Sequence, residues 1–346
     1  MFSAIKNSMN PDIPRSIFKE YCELYRRIGA GENTIKELNE RAPLYKDLTM
    51  KDDIYYLFRS FFPDAKISDL RLKQIADNKF LDNPKNTEEI IAINLRRIFD
   101  QIEHGTPFKV DNREIQDLSL MLMKGTPYGN SLKKHTQGEK TYRDKLEELT
   151  LEYKKIINNE DVEKIYLNIA FYVDLYVLSP FKYHNDIISI IVLYCLMVES
   201  NIKSIRYFSF FKALSSKMKE LNEGLLKAEY HYTEGVSDFT LVSRIILNIL
   251  KESYDSLEML YNNLSFDKQL SKSKNIEVII YNLPEVFTKD DIRKRLPGIS
   301  DSTIDRKLKE LQDENRIASY GRGRTAKWVR IDHSHDEKTD FSRNFE

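Results

Sequence analysis

The chain has 346 residues and a mass of 40.9 kDa, a length for which two domains are the natural expectation. It carries 54 basic and 54 acidic side chains, so its zero net charge excludes an overall electrostatic attraction to nucleic acid or to anionic membranes. Only 11 glycines and 10 prolines are present, which favours helices.

The N-terminal half contains several segments with apolar residues at helical spacing. Residues 12–28 predict the first helix, and the sequence GAGEN at 29–33 is expected to end it. After a break at 81–86, a helix is predicted from Thr87, which we place at its N-cap. A further helix is predicted over 112–123.

The N-terminus has no apolar segment typical of a signal peptide. The longest apolar run, 187–198, is shorter than the roughly 20 residues that span a bilayer. Cys22 and Cys195 both lie in apolar helical patterns and are expected to be reduced and buried. These features predict a cytoplasmic protein without a membrane partner. The 6 histidines show no zinc-ligand spacing, so no metal site is predicted.

The centre of the chain alternates between one loop and two very apolar helices. Residues 124–144 are rich in Gly, Pro and Thr and predict a loop, with a hairpin as one option within it. Residues 162–178 and 186–199 are apolar nearly all round and predict helices at the centre of the core. The polar sequence SPFKYHNDI, residues 179–187, lies between them and is unexpected in so buried a region.

The C-terminal segment, 276–331, predicts three short helices followed by two strands joined by a glycine turn at Gly321 and Gly323. Thr288 is the expected N-cap of the second helix, and Trp328 is expected in the core of the hairpin. This pattern resembles the winged helix-turn-helix family. The resemblance implies that the third helix enters the DNA major groove and that the hairpin is the wing.

The charge of this segment supports DNA binding. It contains 12 lysines and arginines and 9 acids, a net of about +3, and the wing at 316–330 contains no acid. The candidate DNA contacts at the front of the third helix and on the wing are Ser302, Thr303, Arg306, Arg322, Arg324 and Lys327. The alternative is a protein–protein module, because winged helices also serve that role and the third helix carries acids.

The central break resembles the Fic family, whose signature is His-x-Phe-x-(Asp/Glu)-Gly-Asn-Gly-Arg-x-x-Arg. An apolar helix leads into Pro-Phe, a very apolar helix follows, and the candidate hairpin about forty residues earlier corresponds to the family's flap. The resemblance covers roughly residues 70–262, and a C-terminal winged helix also recurs in the family. It implies transfer of AMP from ATP to a protein hydroxyl, with the histidine as general base and the acid holding Mg²⁺.

Position by position, the chain keeps only part of that signature. The retained residues are Pro180, Phe181 and Asn185. Ser179 occupies the position of the base, and its hydroxyl does not accept a proton usefully at neutral pH without a partner. Tyr183 occupies the metal position and offers no carboxylate to a hard cation. The resemblance therefore implies a loss of both general base and metal ligand.

The phosphate-binding half of the signature is also altered. His184 and Asp186 replace the two glycines, and Asp186 brings a negative charge to a helix N-terminus that would otherwise attract an anion. Ile187 and Ile190 replace the two arginines that neutralise phosphates. We interpret the motif as degenerate and without AMP-transferase activity. Its remaining polar residues are expected to be structural, with Asn185 or Asp186 capping the next helix.

Two further features belong to the same resemblance. His184 could serve a different chemistry from that of the lost base, although a lone histidine in a loop is more often solvated. Many Fic proteins carry an inhibitory helix, (Ser/Thr)-x-x-x-Glu-(Gly/Asn). Its nearest counterpart here, residues 73–78, retains only a remnant in Asp77 and Asn78.

The predicted fold is mainly α, with a Fic-like helical domain preceded by N-terminal helices and followed by a small α+β winged helix. The predicted domains are an N-terminal helical region, a Fic-like domain, a linker, a winged helix and a disordered tail, at 1–86, 87–264, 265–275, 276–331 and 332–346.

The leading hypothesis is a regulator that binds DNA and needs no cofactor. The alternatives are a divergent Fic-fold transferase using ATP and Mg²⁺ through residues such as Lys182, Tyr183 or His184, and a protein-binding scaffold. A homodimer is compatible with all three.

Overall fold

The structure is a computed structural model of the whole chain, and it divides into two compact units, Met1–Glu258 and Met259–Glu346. The residues it describes are 2–8, 15–41, 44–79, 83–135, 139–158, 162–265, 275–281, 283–296, 299–320 and 326–331. Within these ranges, the side chains of 16, 40, 41, 44 and 263–265 are not described. The predicted tail and residues 266–274 of the predicted linker lie outside the described residues.

The first unit is helical, as predicted. Its helices are α1 (Ser3–Ser8), α2 (Arg15–Arg41), α3 (Leu44–Phe61), α4 (Asp69–Ala76), α5 (Thr87–His104), α6 (Asn112–Leu122), α7 (Tyr142–Ile157), α8 (Lys164–Leu178), α9 (Asn185–Glu199), α10 (Phe210–Ser215), α11 (Met218–Tyr230) and α12 (Thr240–Ser265), the last of which ends beyond the unit's boundary. Short 3₁₀ helices occupy Lys203–Arg206 and Tyr232–Glu234.

Helices α8 and α9 form the centre of the core, as their composition predicts. Every residue of 165–175 and of 187–197 is buried. The two helices pack on each other, while α1 and α7 cover other sides of α8. A helix that is surrounded on all sides has no solvated face, which explains the nearly continuous apolar sequence. The polar segment between these helices is therefore fixed at both ends by the core.

The predicted end of the first helix at GAGEN is wrong, because α2 continues through both glycines to Arg41. At Gly31 an added Cβ would lie 2.9 Å from the ring of Tyr254 in α12. The glycine thus permits close approach of α12, and packing outweighs the helix-breaking tendency of about 1 kcal/mol.

Two smaller predictions also need correction. Asn86, not Thr87, is the N-cap of α5, and its side chain accepts a hydrogen bond from the Glu89 amide. Cys195 is buried as expected, whereas Cys22 is exposed on α2. Both cysteines are free thiols.

The second unit contains α13 (275–281), β1 (Val286–Thr288), α14 (Lys289–Arg295), α15 (Asp301–Asp313), β2 (Ile317–Tyr320) and β3 (Lys327–Arg330). The strands form an antiparallel sheet in the order β1-β3-β2. Thr288 is the N-cap of α14, as predicted, and the structure adds a reciprocal capping box with Asp291. Trp328 is buried opposite Phe287. Strand β1 was not predicted, because three residues are too few to show the alternation of apolar and polar side chains that marks a strand.

Candidate functional site

The segment between α8 and α9, residues 179–184, is hereafter called the motif loop. Two of its residues have left-handed backbone: Ser179 at φ 43°, which ends α8, and His184 at φ 55°, which precedes α9. A residue with a Cβ pays roughly 1–2 kcal/mol for this conformation. The loop is therefore held in place by tertiary contacts and not by local preference.

The first such contact is a short antiparallel pairing with residues 131–133, which lie in the segment predicted as a loop. Leu132 and Phe181 form a β-bridge. The Lys133 amide donates to the Pro180 carbonyl at 2.8 Å, and the Lys182 amide donates to the Ser131 carbonyl at 3.0 Å. Phe181 is buried beneath the pairing, as predicted. The described part of 124–144 thus pairs with the motif loop.

A second contact is made by Asn130, which is buried and was not singled out from the sequence. Its amide nitrogen donates to the Ser119 hydroxyl of α6 at 2.8 Å and to the Tyr183 carbonyl at 3.1 Å. Its amide oxygen accepts from the Tyr183 backbone amide at 3.3 Å. One side chain therefore fixes the backbone of Tyr183 on both sides and ties it to α6.

Asn185 closes the loop from within, and it does not cap α9 as expected. Its side-chain oxygen accepts from the Phe181 amide at 2.8 Å, and its side-chain nitrogen donates to the Phe181 carbonyl at 2.7 Å. His184 is the N-cap and makes no side-chain cap bond. Asp186 is in the first turn, where one carboxylate oxygen accepts from the Ile187 amide at 2.8 Å. The helix N-terminus already holds a negative charge.

The side chains of Ile187 and Ile190 are fully buried in the core. Neither position presents a polar group at the motif loop. At the other end, the Lys133 ammonium donates to the Ser179 hydroxyl at 3.0 Å. The Ser179 hydroxyl is therefore beside a hydrogen-bond donor, an arrangement that does not assist proton abstraction from a substrate.

His184 is half-buried against Phe62, with ring centroids 5.0 Å apart. Burial lowers its pKa, and the charge of Asp186 opposes that shift. The ring of His184 has no hydrogen-bond partner among the residues that the structure describes, so no group fixes its tautomer or orientation, as a catalytic base requires.

Three cavities in the described part of the chain lie elsewhere. The largest, of about 510 Å³, is an open groove between α6 and α7, and the other two measure about 60 and 10 Å³. No residue of 179–190 lines any of the three.

Asp77 and Asn78, the predicted inhibitory remnant, follow α4. The Asp77 carboxylate pairs with Lys51 of α3 at 2.9 Å and with Lys79 at 3.4 Å. Asn78 has a left-handed backbone, at φ 59°. These contacts give Asp77 a structural role in joining α3 to α4, and its descent from an inhibitory motif stays a prediction.

The candidate DNA contacts lie mainly on α15. Ser302 and Arg306 are exposed there, and Thr303 is partly buried, with its hydroxyl 2.8 Å from that of Ser300. Lys327 is exposed on β3. Arg322 and Arg324 lie outside the described residues.

The acids at the front of α15 are paired with cations of α14. Asp301 accepts from Arg293 at 2.7 Å, and Asp305 pairs with Lys289. Arg306 has no ion-pair partner among the residues that the structure describes, and neither has the next exposed cation of α15, Lys309. The front of this helix is thus more positive than its sequence suggests.

Two of the five cations of the predicted wing are held within the unit. Arg316 pairs with Glu277 at 2.5 Å and lies 5.1 Å from the ring of Tyr281. Arg330 donates to the carbonyl of Tyr281. These two arginines stabilise α13 within the unit.

A scan against protein-family models found no match, and a search of curated proteins found none. The fold matches a solved structure described as a Fic family protein from Desulfovibrio desulfuricans G20, with 12% identity over 92% of this chain and 97% of that chain and a TM-score of 0.54. The chain has a Fic-like fold. The resemblance drawn from the motif loop is therefore confirmed at the level of the fold, which is all that this identity shows.

No described helix is long and apolar enough to cross a membrane. Among the described residues, no group of three or more His, Cys, Asp or Glu side chains could hold a metal ion.

Proposed function

We propose that this protein is a DNA-binding regulator built on a Fic-like helical scaffold that no longer transfers AMP. Its C-terminal unit acts as a winged helix, with α15 as the recognition helix in the major groove. The observation that carries the proposal lies on α15, where Arg306 and Lys309 have no ion-pair partner among the described residues while Asp301 and Asp305 are neutralised by cations of α14.

The order of elements supports this assignment. Three helices, a short strand between the first two and a closing antiparallel pair make up the winged helix-turn-helix plan. The exposed cations of α15 and the exposed Lys327 of β3 are suited to contact phosphates. The exposed Ser302 is suited to contact a phosphate or a base edge.

The motif loop supports the loss of AMP transfer. The hydroxyl of Ser179 faces the Lys133 ammonium, Asp186 places a carboxylate at the start of α9, and Ile187 and Ile190 are buried. A substrate phosphate would meet a negative charge and no arginine. Loss of a general base alone costs about 10²- to 10⁴-fold in rate. Calorimetric titration of the whole chain with ATP and Mg²⁺ should show no binding, and stoichiometric binding would refute this part of the proposal.

The DNA proposal is tested by fluorescence anisotropy with genomic duplex fragments at several salt concentrations. The variant Arg306→Gln/Lys309→Gln removes two candidate phosphate contacts. Its slope of log K against log salt should therefore fall by about 1.8, since each contact contributes about 0.9. The matched control, Lys36→Gln/Lys219→Gln, removes two exposed cations from the helical unit and should leave the slope unchanged. Equal slopes for the α15 variant and the wild type would overturn the proposal.

A further inference from the structure

Aromatic rings form a continuous row from the surface to α3 beside the motif loop. Tyr128 and Tyr183 have centroids 5.8 Å apart, Tyr183 and His184 6.5 Å, His184 and Phe62 5.0 Å, and Phe62 and Phe58 5.0 Å. We call these five residues the ring row. Tyr128 is 66% exposed and Tyr183 41%. Single exposed aromatics are ordinary, whereas two adjacent exposed rings offer a surface on which planar groups can stack.

The backbone that carries Tyr183 is braced. Asn130 holds both backbone groups of Tyr183, and Asn185 holds both backbone groups of Phe181 two residues earlier. A ring on a braced backbone loses less conformational entropy when a ligand stacks on it than a ring on a mobile loop does.

Cations border the ring row on one side. Because Leu132 pairs with Phe181, Lys133 and Lys182 lie diagonally on the outward face of the same pairing. Lys182 is exposed, and so is Lys134, the residue after Lys133. Two acids lie on other sides of the loop: the Asp186 carboxylate accepts a hydrogen bond from the Ile187 amide at the start of α9, and Asp144 closes the capping box of α7. A bound phosphate is therefore placed at Lys133 and Lys182 and not at the N-terminus of α9.

We propose that the ring row and its bordering lysines bind single-stranded nucleic acid. Bases would stack on Tyr128 and Tyr183, while Lys133 and Lys182 would contact the phosphates. Stacking platforms interleaved with cations are how sequence-tolerant single-strand binders work. An acidic peptide would use the lysines but would have no use for rings held at the surface. DNA and RNA share this chemistry, and the two are separated by experiment.

The test uses the whole chain in the Arg306→Gln/Lys309→Gln background, so that α15 does not contribute. Fluorescence anisotropy is measured with a 15-mer of dT and a 15-mer of rU. Replacing Tyr128 and Tyr183 by alanine should weaken binding at least 20-fold, because each stacked base contributes roughly 5- to 150-fold. Tyr183→Phe keeps the ring and should bind as the parent does. Tyr230→Ala, which removes a tyrosine that is 79% exposed on α11, should also bind as the parent does.

The outcomes separate this inference from the proposed duplex binding. Binding of single strands by the ring row is supported by two results together. The double alanine variant loses dT15 or rU15 binding, and the same two alanine substitutions in a chain with native α15 leave duplex binding intact. Tighter binding of dT15 than of rU15, or the reverse, shows whether the site prefers DNA or RNA. The inference is overturned if the parent binds neither oligonucleotide, if the double variant loses less than threefold, or if polyglutamate displaces the oligonucleotide as well as unlabelled dT15 does. Circular dichroism melts confirm that each variant is folded.

Discussion

Asp174 holds the N-terminal helix onto the core and offers the sharpest test of the packing. It lies in α8, is fully buried, and is the acceptor of three hydrogen bonds. The amides of Ala4 and Ile5 donate to its two carboxylate oxygens at 3.0 and 2.8 Å, and the hydroxyl of Tyr232 donates at 2.7 Å. Asp174→Ala leaves all three donors without a partner in a buried site.

The expected cost follows from those three donors. Each buried donor left unsatisfied costs about 1–3 kcal/mol, and the lower end applies because the substitution also removes the carboxylate's own desolvation cost. We expect a loss of about 3 kcal/mol at pH 7. Because α1 has only six residues, the loss is expected first as undocking of Ser3–Ser8 from α8.

Chemical denaturation measures the loss of stability, and hydrogen exchange measures the undocking of α1. Exchange of the Ala4 and Ile5 amides should accelerate in Asp174→Ala, while α9 stays protected. Tyr232→Phe is the matched variant, since it removes one of the three donors, and it should cost about 1 kcal/mol. If Asp174→Ala is as stable as the wild type and the two amides keep their protection, the hydrogen bonds to Asp174 do not hold α1.

Asp174 also makes the stability of the fold depend on pH. Burial raises the pKa of Asp174 to about 6, although its three hydrogen bonds favour the ionised form. In the unfolded chain an aspartate has a pKa near 3.9, so the folded state binds the proton of Asp174 more tightly. The free energy of unfolding therefore decreases as the pH rises from about 4 to about 6. The shift of about two units corresponds to about 3 kcal/mol. The stability difference between wild type and Asp174→Ala should shrink by about that amount across this window. A difference that is constant with pH would contradict the raised pKa.

Two further predictions concern the motif loop and α9. Ile190→Arg restores the family's residue at a fully buried position, so it should cost at least 4 kcal/mol without producing ATP binding, whereas Ile190→Val should cost about 1 kcal/mol. Thermal unfolding measures both, and a well-tolerated arginine that binds ATP would show that this position faces the loop. Asn185→Ala removes both bonds to the Phe181 backbone, so it should cost about 2 kcal/mol and speed amide exchange at Phe181. Lys182→Ala, at an exposed side chain, is its control, and equal exchange in the two variants would contradict the bracing role of Asn185.

Much of the helical framework could be predicted from the sequence. The bounds of α8 and α9 follow from long apolar runs interrupted by polar residues, because a buried helix must satisfy its backbone internally and expose no polar face. The N-cap role of Thr288 could also be predicted, since capping depends on residues within one turn. The resemblance of the motif loop to the Fic signature gave the fold, which the structural comparison confirms.

Other features depend on residues far apart in the chain. Helix α2 continues past Gly31 because α12 packs against it, and no local pattern shows that contact. The anchoring of Tyr183 by Asn130, and the succession of rings from Tyr128 to Phe58, join segments that are separate in sequence.

The residue types and their periodicity alone determined where most of the helices lie and which of them are buried. The tertiary structure decided how the motif loop is braced, which cations of α15 are unpaired, and which aromatic side chains meet at the surface. The physical reason is the range of the interactions. Helix capping and amphipathic burial are set within a few neighbouring residues, whereas ion pairs such as Asp301 with Arg293 and contacts between rings exist only once the elements have packed.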